Sequence, residues 1–234
     1  MKIYRACITG RRNSDKISSC QDFCEYMMTK DKELAVALSD GAGSSEFPDF
    51  ASRENVHAFL NFFRLYPVKE MLNINNDALA EDMILFCNNA QSDLSDRINT
   101  DISNLKATLI GLAIGEEEIL VYHIGDGKVY TKLKTGEIEC FSDSDNFLGI
   151  SNRTYFTTDK NAVKHMRVTR LKRENVRKIC IFSDGVFGTK EDISEDMEAI
   201  FEQAEDDFSL GKLIDTDSMR NYGDDCSMVL VDLE

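Results

Sequence analysis

Residues 34–45 read LAVALSDGAGSS, and this stretch decides how the rest of the chain is interpreted. Five consecutive apolar residues, 34–38, predict a strand that is buried on both faces. Ser39, Asp40 and Gly41 then end the strand. Asp-Gly is common in hairpin turns, but a hairpin needs a second strand, and a polar segment and a helical pattern follow here. We therefore interpret Asp40 as a carboxylate at the end of a buried strand, where it suits a hard cation that takes oxygen ligands.

The same arrangement recurs later in the chain. Residues 178–182, KICIF, predict a second apolar strand, which ends in Ser183, Asp184 and Gly185 before another helical pattern. One carboxylate does not make a metal site. Two Ser-Asp-Gly units at strand ends, however, predict a shared metal centre.

Composition narrows the class of protein. With 234 residues, 42% of them hydrophobic, the chain predicts a single domain over residues 1–234. It has no apolar run of about 18 residues for a membrane span, and its first residues lack the order of a signal peptide. We therefore expect a cytoplasmic monomer that does not bind membranes. The net charge of −15 also argues against binding to nucleic acid.

The number and spacing of the cysteines indicate free thiols and not a disulfide framework. There are seven of them, an odd number, and no two form a CxxC pair. Cys20 and Cys24 could bind zinc together with a histidine. The three histidines lie far from them in sequence, so we favour free thiols in a reducing compartment.

The apolar periodicity predicts sheets flanked by helices. Spacings of three and four predict a helix over 52–66 with Ser52 as its N-cap, and a longer one over 79–98 capped by Asn75 or Asn76. Further helices are predicted over 191–204 and 209–214. Strands are predicted over 2–9, 23–28, 107–114, 118–124, 128–133, 137–141, 162–171 and 227–233. We interpret the strands between 107 and 141 as an antiparallel meander, and the whole as an α+β fold of antiparallel sheets.

Gly125-Asp126-Gly127 lies between two of these predicted strands. A hairpin turn explains it well, and a metal ligand explains it equally well. Both interpretations stay open from the local sequence. We interpret His123, just before it, as a histidine packed within a strand.

Further carboxylates stand at predicted strand ends and turns. With Asp40, Asp126 and Asp184 they form a set of five, completed by Asp22 and Asp224. Carboxylates that are brought together repel one another unless cations lie among them. Such a cluster would therefore imply bound Mg²⁺ or Mn²⁺.

The order of these motifs resembles a known family. The motifs are CQD (20–22), SDGAGSSEFPDFAS (39–52), ATLIGLAI (107–114), HIGDGKVY (123–130), IFSDGVFG (181–188) and GDDCSMVLVDL (223–233). Each is weak alone, but the ordered set resembles the metal-dependent serine/threonine protein phosphatases of the 2C type, in their bacterial branch. The resemblance implies a sandwich of two antiparallel β-sheets flanked by helices, with a binuclear metal centre at one end.

The resemblance also implies roles for individual residues. Asp40 would bridge two Mn²⁺ or Mg²⁺ ions, and the Gly41 carbonyl would bind one of them. Asp184 and Asp224 would complete the other, so these two and Asp40 would carry catalysis. Asp225 is the alternative if the alignment at Asp224 is shifted by one residue.

Two other carboxylates have supporting roles in the family pattern. Asp22 would hold metal-bound water in an outer shell, and Asp126 would help to bind a third, looser metal. The implied reaction is hydrolysis of phosphoserine and phosphothreonine in phosphoprotein substrates by attack of a metal-bridging hydroxide.

The chain departs from the family where many members carry an arginine that binds the substrate phosphate. Lys16 stands near that place, with Arg11 and Arg12 as other candidates, and an ammonium matches phosphate less well than a guanidinium. This departure motivates an alternative function, a non-catalytic relative that binds a phosphoprotein or another partner. An acidic Ca²⁺-binding structural domain is a third hypothesis, but no loop has the DxDxDG spacing of such domains.

Overall fold

Ten strands form two antiparallel sheets in the part of the chain that this computed structural model describes, residues 1–10, 20–29, 32–145, 154–188, 190, 192–216, 219 and 223–234. The strands are β1 (Lys2–Ile8), β2 (Asp22–Met28), β3 (Leu34–Asp40), β4 (Leu109–Ile114), β5 (Glu118–Ile124), β6 (Lys128–Leu133), β7 (Ile138–Ser142), β8 (Arg167–Lys172), β9 (Val176–Phe182) and β10 (Cys226–Asp232). One sheet has the order β1-β10-β9-β6-β7, and the other β2-β3-β4-β5-β8. All neighbouring strands are antiparallel.

Helices cover the outer faces of both sheets. They are α1 (Pro48–Leu65), α2 (Val68–Met71), α3 (Asn76–Ile98), α4 (Ala162–His165), α5 (Ser194–Gln203) and α6 (Asp207–Ile214), with 3-10 turns at Ile102–Asn104 and Arg173–Asn175. Apolar residues of α1 and α3 pack on the β3 sheet, and those of α5 and α6 pack on the β9 sheet. The predicted helix-flanked sandwich of two antiparallel sheets is confirmed. The described residues contain no helix that is long and apolar enough to cross a membrane.

The strands β3 and β9 are buried on both faces over residues 34–38 and 179–182, which explains the uninterrupted apolar runs there. Along β3, Val36 packs between the sheets, whereas Ala37 faces the core under α1 and α3. Along β9, Ile181 packs between the sheets, whereas Cys180 and Phe182 face the core under α5 and α6. Successive side chains of a strand point to opposite faces, so a strand between two cores needs apolar residues at every position.

Two helix starts differ in how well the sequence predicted them. The Asn75 cap of α3 is present as predicted, since its side chain accepts a hydrogen bond from the Ala78 N–H (2.8 Å). The prediction that Ser52 caps α1 is wrong, because the helix begins at Pro48 and Ser52 is buried within it. Proline suits the first helical position, where its fixed φ is already helical and its missing N–H would have no helical acceptor.

The strand predicted over 162–171 is also partly wrong. Residues 162–165 form the helical turn α4, and the strand starts only at Arg167. The Met166 N–H donates to the Ala162 carbonyl (2.8 Å), which is a helical bond four residues back along the chain. A single helical turn is too short to show its period in the sequence.

The predicted meander is divided between the sheets. β4 pairs with β5, and β6 pairs with β7, but β5 and β6 belong to different sheets. Gly125-Asp126-Gly127 therefore carries the chain from one sheet to the other, and its interpretation as a hairpin turn is wrong. The backbone of Gly127 lies against the end of β9, where an added Cβ would come within 2.4 Å of the Phe182 carbonyl oxygen.

Candidate metal centre

Three carboxylates from distant parts of the chain converge at one edge of the sandwich. Asp40, Asp126 and Asp184 each offer an oxygen atom, and these atoms all lie within 4.8 Å of one another. Asp40 ends β3, Asp184 follows β9, and Asp126 lies in the connection between the sheets. All three side chains are partly buried. The two Ser-Asp-Gly units thus meet in space, as the sequence predicted, and Asp126 joins them.

The glycines of both Ser-Asp-Gly units are required by close backbone contacts. A Cβ on Gly41 would lie 2.2 Å from the carbonyl oxygen of Pro48, the first residue of α1. A Cβ on Gly185 would lie 1.8 Å from the carbonyl oxygen of Asp225. Since no side chain fits at either place, each glycine lets a second chain segment approach the carboxylate that precedes it.

Thr108 fixes the backbone of Asp40. Its hydroxyl accepts the Asp40 N–H (3.0 Å), and its own N–H donates to the Asp40 carbonyl (2.9 Å). Its carbonyl accepts hydrogen bonds from the Ser39 hydroxyl (2.5 Å) and from the buried Asn55 amide (3.1 Å). Thr108 also packs against Gly125, where an added Cβ would come within 2.5 Å of its side chain. One residue thereby contacts both the β3 end and the connection that carries Asp126.

Asp22 lies beside Asp40 and is held by two serines. It is 1% exposed and pairs with Asp40 across the β2–β3 ladder. Its Oδ2 accepts hydrogen bonds from Ser183 Oγ (2.6 Å) and Ser227 Oγ (2.8 Å). Its Oδ1 is buried without a hydrogen-bond partner among the described residues. The two serines therefore fix one oxygen of this carboxylate and leave the other without a hydrogen bond among the described residues.

The electrostatics of the cluster favour a cation. Burial, together with the nearby Asp184 carboxylate, raises the pKa of Asp22 and of Asp126 to about 7. Burial and the other carboxylates also raise the pKa of Asp40 well above its usual value, and burial raises that of Asp184. Among the described residues, no lysine, arginine or histidine forms an ion pair with these four carboxylates.

The donor set fits hard divalent cations. Oxygen ligands from carboxylates are what Mg²⁺ and Mn²⁺ take in proteins. Asp184 Oδ1, like Asp22 Oδ1, is buried without a hydrogen-bond partner in the described part of the chain. A buried polar atom without a partner costs free energy, and a bound cation with its water would remove that cost.

Asp224 and Asp225 have different surroundings. Asp225 is 2% exposed, and its carboxylate accepts hydrogen bonds from the Gly10 N–H (2.6 Å) and the Gln21 N–H (2.7 Å). These bonds join the end of β1 to the start of β2. Asp224 lies outside the group within 4.8 Å, but it is close enough for its charge to raise the pKa of Asp126. The Asp225 carboxylate thus accepts hydrogen bonds from two backbone N–H groups, whereas the charge of Asp224 acts on the cluster.

The sequence did not predict every residue that supports the cluster, and the predicted phosphate-binding residues lie outside the described residues. Thr108 and Ser227 gave no signal, whereas Ser183 stands beside Asp184 and could have been noticed. The predicted phosphate-binding residue Lys16 lies outside the described residues, with Arg11 and Arg12.

His123 is buried in β5, as the sequence analysis interpreted it. Its Nδ1 lies 2.8 Å from Ser142 Oγ and 3.0 Å from the Arg167 guanidinium.

A helix-flanked sandwich with an acidic cluster at one edge defines the class of fold and site that the sequence resemblance implied. A family model described as protein phosphatase 2C matches residues 9–215. The chain belongs to this family, and its class is therefore that of the protein phosphatases. A sequence comparison with curated proteins finds no significant match.

Solved structures share the fold at low sequence identity. The S. agalactiae serine/threonine phosphatase is 16% identical, with a TM-score of 0.73 over 100% of this chain and 99% of that chain. Stp1 from Staphylococcus aureus, a serine/threonine phosphatase, is 15% identical, with a TM-score of 0.72 over 100% and 95% of the two chains. The catalytic domain of the phosphatase PstP, solved with two manganese ions, is 17% identical, with a TM-score of 0.69 over 99% and 97%.

Proposed function

We propose that this protein phosphatase hydrolyses phosphoserine and phosphothreonine in proteins with two Mn²⁺ or Mg²⁺ ions at the acidic cluster. The observation that carries the proposal is the convergence of Asp40, Asp126 and Asp184 within 4.8 Å. The family match over residues 9–215 supports the reaction class. The two manganese ions of the PstP structure support the choice of cation.

Each acidic residue has a role in this proposal. Asp40, the Gly41 carbonyl, Asp184 and Asp224 would hold the two ions, and Asp126 would bind a third. When bound, such ions supply a water of lowered pKa and neutralise the charge on the phosphoryl oxygens.

The chain's own side chains position these groups. Ser183 and Ser227 orient Asp22 so that its Oδ1 points away from them and can accept a hydrogen bond from a water. Thr108 holds the Asp40 backbone through two hydrogen bonds. A fixed arrangement of this kind lowers the barrier, because little reorganisation is left for the reaction itself.

The test is hydrolysis of p-nitrophenyl phosphate and of a phosphothreonine peptide, with Mn²⁺ or Mg²⁺ and after treatment with EDTA. We expect metal-dependent turnover that Asp40→Asn and Asp184→Asn each lower by at least about 100-fold. Asp143→Asn is the matched control, because that side chain is 64% exposed and pairs with Lys128. Folded wild-type protein without turnover, or full activity in both variants, would refute the proposal.

The non-catalytic alternative is an outcome of the same experiment. It predicts binding of the phosphothreonine peptide without hydrolysis, measured by fluorescence anisotropy. No observation in the described structure favours this alternative, since the carboxylates that hydrolysis needs do converge.

We also propose a single domain that acts as a cytoplasmic monomer on phosphoproteins and does not bind nucleic acid. The seven free cysteines support a reducing compartment. The net charge of −15 supports the absence of nucleic-acid binding. Size-exclusion chromatography with light scattering should give the mass of one chain, and a mass of two chains would refute the monomer.

A further inference from the structure

Two cysteine thiols lie together beside the acidic cluster. Cys7 is on β1 and Cys20 stands just before β2, and their Sγ atoms are 3.1 Å apart. Cys7 is exposed and Cys20 is partly exposed. Of the other five cysteines, Cys140 is exposed, and the rest are buried: Cys24, Cys87, Cys180 and Cys226. The pair is thus within reach of solvent-borne reagents.

A metal site does not explain this pair. A structural zinc ion needs about four ligands, and the described residues hold no third cysteine, histidine or carboxylate grouped with these two thiols. Cys24, the partner considered for Cys20 in the sequence, is buried and directs its thiol to the Ala6 carbonyl (4.0 Å). Core packing does not explain it either, since Cys7 is exposed.

We propose that Cys7 and Cys20 form a reversible disulfide, a redox modification site that weakens binding of divalent cations at the neighbouring acidic cluster. A disulfide bond is about 2.05 Å long, so the sulfur atoms need to approach by only about 1 Å. The oxidant is a peroxide. The Cys20 thiolate attacks the peroxide and becomes a sulfenic acid, with loss of hydroxide, since the hydrogen bond to Cys20 and burial raise the pKa of the Cys7 thiol.

The second thiol then attacks that sulfur and releases water. In total, two thiols and one hydrogen peroxide give one disulfide and two waters, and the two sulfur atoms are oxidised while the peroxide oxygens are reduced. A dithiol or glutathione reverses the reaction by thiol–disulfide exchange.

The chain connects this pair directly to the cluster. Cys20 precedes Gln21, whose N–H donates to Asp225 (2.7 Å) and whose carbonyl accepts the Gly41 N–H (3.2 Å). The Cys7 thiol also donates to the Asp22 carbonyl (3.4 Å). A disulfide would draw Cys20 towards β1, and Gln21 would follow it. The hydrogen bonds that align Gly41 and Asp225 in the reduced protein would therefore be displaced.

The first experiment tests the disulfide itself and does not depend on the proposed function. Metal-free protein is treated with a small excess of hydrogen peroxide, its remaining thiols are alkylated, and its peptides are mapped by mass spectrometry. We expect a Cys7–Cys20 link that dithiothreitol removes, in the wild type and in the control variant Cys140→Ser. No such link in the wild type would overturn the proposal.

The second experiment tests the effect on the cluster and rests on the proposed metal binding. Calorimetric titration with Mn²⁺ should show at least about threefold weaker binding to the oxidised protein, with recovery after reduction. Peroxide should leave Mn²⁺ binding unchanged in Cys7→Ser and in Cys20→Ser. Equal affinity of the oxidised and reduced wild type would overturn the coupling, whereas failure of Mn²⁺ to bind the reduced protein would refute the proposed function.

Discussion

Without divalent cations, the protein should lose stability as the pH rises from about 4 to about 7. Burial raises the pKa of Asp22 and of Asp126 from 3.8 to about 7 in the folded chain. The unfolded chain loses the same protons near pH 4. A raised pKa in the folded state contributes stability that is fully present below the unfolded value and is lost as the pH passes the folded value.

The size of this effect follows from the two pKa values. A shift of one unit corresponds to about 1.4 kcal/mol, so each carboxylate accounts for about 4 kcal/mol. For a chain of this length, about 4 kcal/mol changes the melting temperature by on the order of 10 °C. Bound cations replace the protons, so Mn²⁺ should stabilise the protein most at neutral pH and least near pH 4.

The assay is scanning calorimetry between pH 4.5 and 7.5, with EDTA or with Mn²⁺. In EDTA we expect the melting temperature to fall with rising pH, and in Mn²⁺ we expect it to stay high. Asp22→Asn should flatten the decline in EDTA, because asparagine does not ionise and can still accept hydrogen bonds from both serines. The control Asp143→Asn should keep the wild-type slope. A melting temperature in EDTA that is constant or rises over this range would refute the reasoning, as would an unchanged slope in Asp22→Asn.

Three substitutions test the positions of single residues. Gly41→Ala should lower the free energy of unfolding by more than about 2 kcal/mol in urea denaturation, because its Cβ would lie 2.2 Å from a carbonyl oxygen. Gly43→Ala is the control and should change it little, because its Cβ would make only an ordinary contact, 3.7 Å from the Gln21 side-chain oxygen. Ser183→Ala should cost about 1–3 kcal/mol in the same measurement and weaken Mn²⁺ binding, since it removes a hydrogen bond to the buried Asp22 carboxylate. Asp225→Ala should cost about 2–4 kcal/mol, because two backbone N–H groups lose their acceptor, and unchanged stability would show that these bonds do not hold the two strand ends.

The sequence predicts the centre of the fold best. β3 is apolar over residues 34–38 and β9 over residues 179–182 because each segment lies between two cores, and a continuous apolar run is easily recognised in a sequence. The Ser-Asp-Gly units that follow were recognisable for a related reason. A glycine at the end of a buried strand indicates that the backbone passes close to another segment, as it does at Gly41 and Gly185.

The connection around Asp126 shows what a local pattern cannot decide. A Gly-Asp-Gly turn between two strands looks the same whether the strands pair with each other or enter different sheets. The choice depends on Gly127 lying against the end of β9, a contact between residues distant in sequence. The separate surroundings of Asp224 and Asp225 likewise depend on the N–H groups of Gly10 and Gln21, which lie more than 200 residues earlier.

The converging carboxylates belong to both layers of the sandwich. Asp40 extends from one sheet and Asp184 from the other, and the serines that hold Asp22 reach across in the same way. A divalent ion at this edge would have ligands from both sheets. Its binding energy would therefore stabilise the packing of one sheet on the other. Neither sheet alone could capture the ion during folding, and metal uptake would report that the two halves have docked.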